Sequence, residues 1–301
     1  MIVTVLLACA AAAVSAAGIS LQHRAAGTFP ELGASALCLP RLASKPAWLL
    51  GIGLSGAAFG LHAAALRQGP LSIVQPVVVS AIVFAVFIRA ALNHRLPARK
   101  ELAWATCTWA GLALFIAVLP SGTAQHAPDG STARIFFVGG IVITDIAVLL
   151  AQRTTTPARR GLLLAGAAGV FFGLIAGLVK VLITQTGIGT PALLGQWTLW
   201  GILILGAGAL LLNQLAYQAA RLSVTMPVLN MVDVLVAIGF GSAVFGERHL
   251  TSPTQLIAEI AGLFAMGVGV WQLARLQDLP ASSGDDPSCR ILAPAASPER
   301  T

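Results

Sequence analysis

Two aspartates stand where an acid is costly. Asp145 and Asp233 each fall near the middle of a long apolar run, and a carboxylate at the centre of a lipid-immersed helix costs about 2.5–3.5 kcal/mol on insertion scales. A partner, a bound cation or a transported proton would offset that cost, since a buried carboxyl can take up and release protons. A hydrogen bond to a neighbouring helix is the plainer alternative. Lys180 lies late in another apolar run, where its stem either snorkels to water or brings its ammonium to an acid or an anionic substrate. His62, Gln75, Gln196, Asn213, Gln214, Tyr217 and Asn230 gather near the ends of four runs. Interhelical hydrogen bonds account for any one of them, and as a group they could line a polar pocket. Pro76 and Pro227 each stand about five residues into a run, where the missing N–H and the ring weaken a helix. Glu259 and Arg89 read as interfacial, Arg89 by snorkelling.

Known reaction motifs are missing. The chain has no HExxH, nucleophile elbow or phosphate-binding glycine loop, so neither an enzyme nor a bound cofactor is expected. Residues 129–134, DGSTAR, begin like the metal-binding motif of phosphatidyl-alcohol transferases, but only Asp145 follows and Leu149 stands where the last aspartate is needed. Cys9, Cys38, Cys107 and Cys289 show neither CxxC spacing nor a paired framework, which argues against disulfides and a cysteine metal site. LLAC at 6–9 imitates a lipoprotein cleavage box without the basic residues that should precede it, and a first membrane helix is the simpler reading.

The elements that carry these residues follow from composition. Hydrophobic residues make up 57% of the chain and charged ones 10%, too few charges to cover a water-soluble surface. Apolar runs at 2–22, 47–66, 71–92, 101–119, 135–152, 161–183, 193–213, 223–245 and 255–274 match bilayer thickness. An all-α polytopic membrane bundle of about nine transmembrane helices is predicted, with a loop at 120–134 and a disordered cytoplasmic tail from 278. The net charge of +7 is scattered rather than clustered, which excludes a nucleic-acid surface. Arg24, Arg41, Lys45, Arg95, Arg99, Lys100, Arg153, Arg159, Arg160, Arg221 and Arg275 fall in alternate connections, against Arg67, Arg134 and Arg248 in the others. The positive-inside rule puts the first set in the cytoplasm and the N-terminus outside, in the plasma membrane.

An internal repeat organises the spans. At an offset of 151 residues Leu71 and Ser72 meet Leu222 and Ser223, Pro76 meets Pro227, His62 meets Asn213, and Gly111-Leu112 meets Gly262-Leu263. Five spans separate the copies, so the second runs the opposite way through the bilayer. This inverted repeat (5+4) divides the chain into 1–152, with five spans, and 153–277, with four. The matched prolines then read as paired hinges beside a substrate path. Glycines 169, 173 and 177, and Gly56 with Gly60, suggest close helix packing.

The segments ALRQGPLSIVQPVVVSAIVFA at 65–85, GLIAGLVKVL at 173–182, and LNQLAYQAARLSVTMPV at 212–228 with FGE at 245–247 resemble the drug/metabolite transporter (EamA-like) superfamily, nearest its NIPA-like magnesium transporter branch. The resemblance implies an alternating-access bundle and directs attention to Lys180, Pro76, Pro227 and Glu247. In the first half the matching helix end reads LNHRL, without an acid. Together these features predict a secondary transporter of a small solute, its site between the halves. The alternatives are a magnesium or other divalent-cation transporter, and a non-transporting scaffold or regulatory protein. Expected partners are the bilayer and a small-molecule or ion substrate, with a homodimer left open.

Overall fold

The computed structural model describes residues 1–26, 45–119, 127–186, 194–247 and 252–278. Within them the chain forms α1 (Ile2–Ala26), α2 (Pro46–Gln68), α3 (Leu71–Val79), α4 (Ala81–Leu92), α5 (Arg99–Val118), α6 (Gly130–Arg153), α7 (Pro157–Thr186), α8 (Trp197–Ala219), α9 (Leu222–Phe245) and α10 (Pro253–Asp278). No strand occurs among the described residues. They contain nine spans long and apolar enough to cross a membrane, α3 and α4 together making the third. In lipid a backbone must satisfy its own hydrogen bonds, and the helix does this within one segment.

Local chemistry sets several boundaries away from expectation. Residues 130–134, expected in a loop, are the first turn of α6, because Asp129 caps that helix by accepting the Ser131 N–H at 2.9 Å. The Asp of DGSTAR is therefore a helix cap. The third span, expected to be continuous, breaks at Ser80. There the Ser80 N–H (3.1 Å) and hydroxyl (2.6 Å) both donate to the Val77 carbonyl, a local bond that competes with the regular ladder. Pro76 lies one turn before this break. α9 likewise runs through its repeat partner Pro227, and without a later break, so neither proline of the expected hinge pair itself interrupts its helix, and the two spans differ only at Ser80. The tail from 279 and the segment 120–126 lie outside the described residues.

The repeat is visible in the architecture. Both ends of α8 lie 151 residues after those of α2, and the start of α9 lies 151 after that of α3. In each half the first helix packs on the second, α1 on α2 and α7 on α8, while α5 of one half packs on α10 of the other. At that last crossing the equivalent glycines face each other. A Cβ on Gly111 would come within 2.7 Å of the Gly262 carbonyl, and one on Gly262 within 2.8 Å of the Gly111 carbonyl. Matched positions meeting each other is what a two-fold axis through the crossing produces. The third and sixth spans are the most buried, at 67% and 72%, and the fifth, α6, the least, at 17%. The core therefore forms where α3 and α7 meet α9.

Glycines on α7 seat α9 closely. A Cβ at Gly169 would be 2.6 Å from the Leu229 carbonyl, one at Gly173 2.6 Å from the Asp233 carbonyl, and one at Gly177 2.5 Å from the Phe240 ring. Gly56 and Gly60, expected to pack similarly, have no neighbouring atom within 4 Å of such a Cβ. They lie on the exposed side of α2, because α1 approaches it at Gly51 instead, which meets the Gly18 carbonyl.

Candidate functional site

The first N–H groups of any helix lack intrahelical partners, and inside a membrane protein no solvent is at hand to take them. The start of α3 meets this need from far along the chain. α9 ends in Phe245, Gly246 and Glu247. Gly246 adopts φ 65° and ψ 27°, a left-handed turn suited to glycine. The Gly246 N–H and the Glu247 N–H both reach back to the Gly241 carbonyl, the latter at 3.2 Å, taking up a carbonyl that the helix end leaves free. This reversal sends the Glu247 side chain inward. Its Oε1 accepts the Leu71 N–H at 2.8 Å and its Oε2 the Ser72 N–H at 3.1 Å. Gly241 leaves room, since a Cβ there would stand 2.6 Å from Oε2.

Lys180 completes the arrangement. Its Nζ donates to Glu247 Oε1 at 2.8 Å and to the Gly69 carbonyl at 3.0 Å, and lies 4.6 Å from the centroid of the Phe245 ring. The two side chains are 1% and 0% exposed. Every group here has a complement: a carboxylate at the positive end of a helix, an ammonium on that carboxylate, a carbonyl and a ring face. Of the two readings of Lys180, partnering an acid is the one realised and snorkelling is not. The same corner is tied from two further sides. The Thr4 hydroxyl donates to the Gln68 carbonyl at 3.3 Å, and the Asp129 N–H to the Val244 carbonyl at 3.3 Å. We call this contact between α7, α9 and the start of α3 the latch.

One turn along α3 from Ser72, the Gln75 amide donates to Asp233 Oδ1 on α9 at 2.7 Å. Ser72 Oγ and Gln75 Oε1 are buried with no hydrogen-bond partner among the described residues. Asp233, Asn230 and Met226 lie at i, i+3 or i+4 spacing on one face of α9. At the far end of that face the Tyr217 hydroxyl donates to Met226 Sδ at 2.9 Å, and Asn213, one turn before Tyr217 on α8, has its Oδ1 buried and unpartnered among the described residues. A polar line thus runs along α9 from Tyr217 and Asn213, past Asn230, to Asp233 and Gln75, and ends under the latch.

The expected polar group is therefore partly assembled and partly dispersed. Gln75, Asn213, Tyr217, Asn230 and Asp233 belong to the line. His62 is half-buried on α2 with Nε2 unpartnered among the described residues. Gln196 precedes α8 without capping it through its side chain, and Gln214 is exposed. Asp145, expected among the coupling residues, is exposed on the outside of α6, away from the line. The helical phase decides this, because α6 turns Gly140, Thr144 and Ala151 inward. Glu259, expected at the interface, is buried with Oε1 unpartnered among the described residues. Arg89 does not snorkel freely but donates to Glu101 Oε1 at 2.9 Å. Among the described residues no three His, Cys, Asp or Glu side chains gather as a metal-holding group. The sequence held one clue to the latch, since an apolar span with a lysine needs an acid and FGE supplies one at a helix end.

No family model matches the sequence, and no solved structure matches it. The chain is similar, at 28% identity over 288 residues, to a protein of Corynebacterium glutamicum described only as uncharacterized, the match covering 94% of this chain and 98% of that one.

Proposed function

We propose that this protein is a secondary transporter that moves a small solute across the membrane by alternating access. In this reading Asp233 and Gln75 hold the solute or its coupling ion, and the Lys180–Glu247 latch closes one end of the path. The observation that carries it is the polar line on α9, which crosses the bundle and stops beneath a dry, fully paired ion pair. A static bundle has no need of such a line, because each polar group in it costs free energy unless it is satisfied. The oxygens of Ser72 and Gln75, unpartnered among the described residues, are acceptors available to a solute. By the distribution of basic residues the latched end faces outward, so the solute reaches Asp233 from the cytoplasmic end in this conformation. Release to the other side requires Glu247 to leave the start of α3, and the break at Ser80 lets α3 move without α4.

Reconstitution into liposomes with imposed ion gradients tests this, using a panel of metabolites, amines and Mg²⁺. Gradient-dependent flux of a panel member, lost in Asp233→Asn, is expected. A well-folded protein that carries none of them overturns the proposal.

A further inference from the structure

The fifth span poses a problem separate from the path. α6 turns Ala133, Gly140, Thr144 and Ala151 inward and packs mainly on α7. On its outer side Ile135, Val138, Val142, Asp145 and Leu149 are all exposed, at successive spacings of three, four, three and four. Ile143, Ile146 and Leu150 beside them are exposed as well, so this series is one line on a broad lipid-facing side, at the a/d spacing of a helix-pairing seam. Apolar side chains facing lipid need no explanation, but Asp145 does. It stands eight residues before Arg153, the end of the span, which is about 12 Å along the axis. An aspartate side chain is too short to snorkel that far. No hydrogen bond or ion pair from the chain's other described residues reaches it.

We propose that this face docks a second copy of the chain, α6 against α6, about a two-fold axis along the membrane normal. A bilayer-embedded protein presents both copies in the same orientation, so equal positions of the two seams meet at equal depth. Asp145 then faces Asp145 of the other copy. One protonated carboxyl donates its O–H to the other carboxylate, a shared proton that satisfies both acids at once. An unrelated partner would have to bring a donor at that depth, whereas a second copy brings one by symmetry. Gly139, beside the seam, has open space where a Cβ would be and leaves room for close approach.

Cysteine crosslinking of the full chain in membranes, with the native cysteines replaced by serine, tests the face directly. Val142→Cys and Leu149→Cys are expected to give disulfide-linked dimers on oxidation, and Leu210→Cys, exposed on α8, is not. Single-molecule photobleaching in bilayers then measures dimer affinity. Asp145→Leu is expected to weaken it by about tenfold, and Asp145→Asn, which keeps a donor and an acceptor, by less than about threefold. Absence of crosslinks at 142 and 149, crosslinking through Leu210→Cys alone, or an Asp145→Leu chain that pairs as tightly as the parent overturns the proposal. The crosslinks are read with Asp145 in place, so they decide it even if Asp145→Leu does not fold.

Discussion

Glu247 and Glu101 do the same local job at opposite ends of the bundle and differ in everything around it. Each carboxylate accepts the N–H of a helix start and binds a cation. Glu101 takes the Ala98 N–H at 2.8 Å, from its own helix, and the guanidiniums of Arg89 at 2.9 Å and Arg95 at 3.5 Å. Its partners lie within 12 residues and are 35% and 43% exposed. Glu247 takes donors that lie 67, 175 and 176 residues away, and its cation is 1% exposed. A stitch made from near neighbours beside water fixes one helix end and little more. A contact made from three distant helices without water decides whether those helices stay together.

That contrast can be broken at its strong side first. Glu247→Ala leaves the Lys180 ammonium buried and unpaired, and a loss of about 3–5 kcal/mol of stability is expected, measured by unfolding in detergent. The double change Lys180→Met with Glu247→Met should recover more than half of that, because no charge is then stranded. Recovery of nothing would mean that the cap on α3, rather than the ion pair, carries the effect. Gly246→Ala comes next. A side chain in the left-handed region costs about 1–2 kcal/mol, and the turn that delivers Glu247 should loosen, read as faster maleimide labelling of Ser72→Cys. Glu101→Gln should cost only about 0–1 kcal/mol, and its effect should shrink further in high salt because the arginines are wet. The smallest effect belongs to Asp129, fully outside the spans. Hydrogen bonds from the Ser131 hydroxyl, the Thr132 hydroxyl and the Ser131 N–H lower its pKa from 3.8 to about 2. Its cap therefore stabilises the start of α6 above pH 3.8 and loses that contribution as pH falls through about 2. A carboxyl resonance titrating near 2, returning toward 3.8 in Ser131→Ala, is expected by NMR.

The sequence disclosed whatever depends on counting. Nine spans follow from run length, and the repeat follows from Leu71-Ser72 and Gly111-Leu112 recurring at one offset. Facing directions were harder to read. Asp145 and Asp233 look alike in the sequence, each an acid amid apolar residues, yet one faces outward and the other meets Gln75, because helical phase and neighbours decide the side. The break at Ser80 was hidden for a related reason: the prolines drew attention, while the serine hydroxyl on the Val77 carbonyl ends the helix. Lys180 and Glu247 were each visible, but their pairing depends on the turn at Gly246 and on α7 packing against α9. Charge complementarity across 67 residues has no periodicity to reveal it.

The meeting of Gly111 with Gly262 has a consequence for any rocking motion. When two inverted halves exchange shapes, every contact between unlike positions must be traded for its mirror, so it can be strong in only one state. A contact between a position and its own counterpart is its own mirror. In the proposed alternating-access cycle the crossing of α5 and α10 would therefore stay the same throughout, and backbone could press on backbone there without favouring either state. Under the proposed function it is the fulcrum, and bulk added at Gly111 or Gly262 should impair both directions of movement alike.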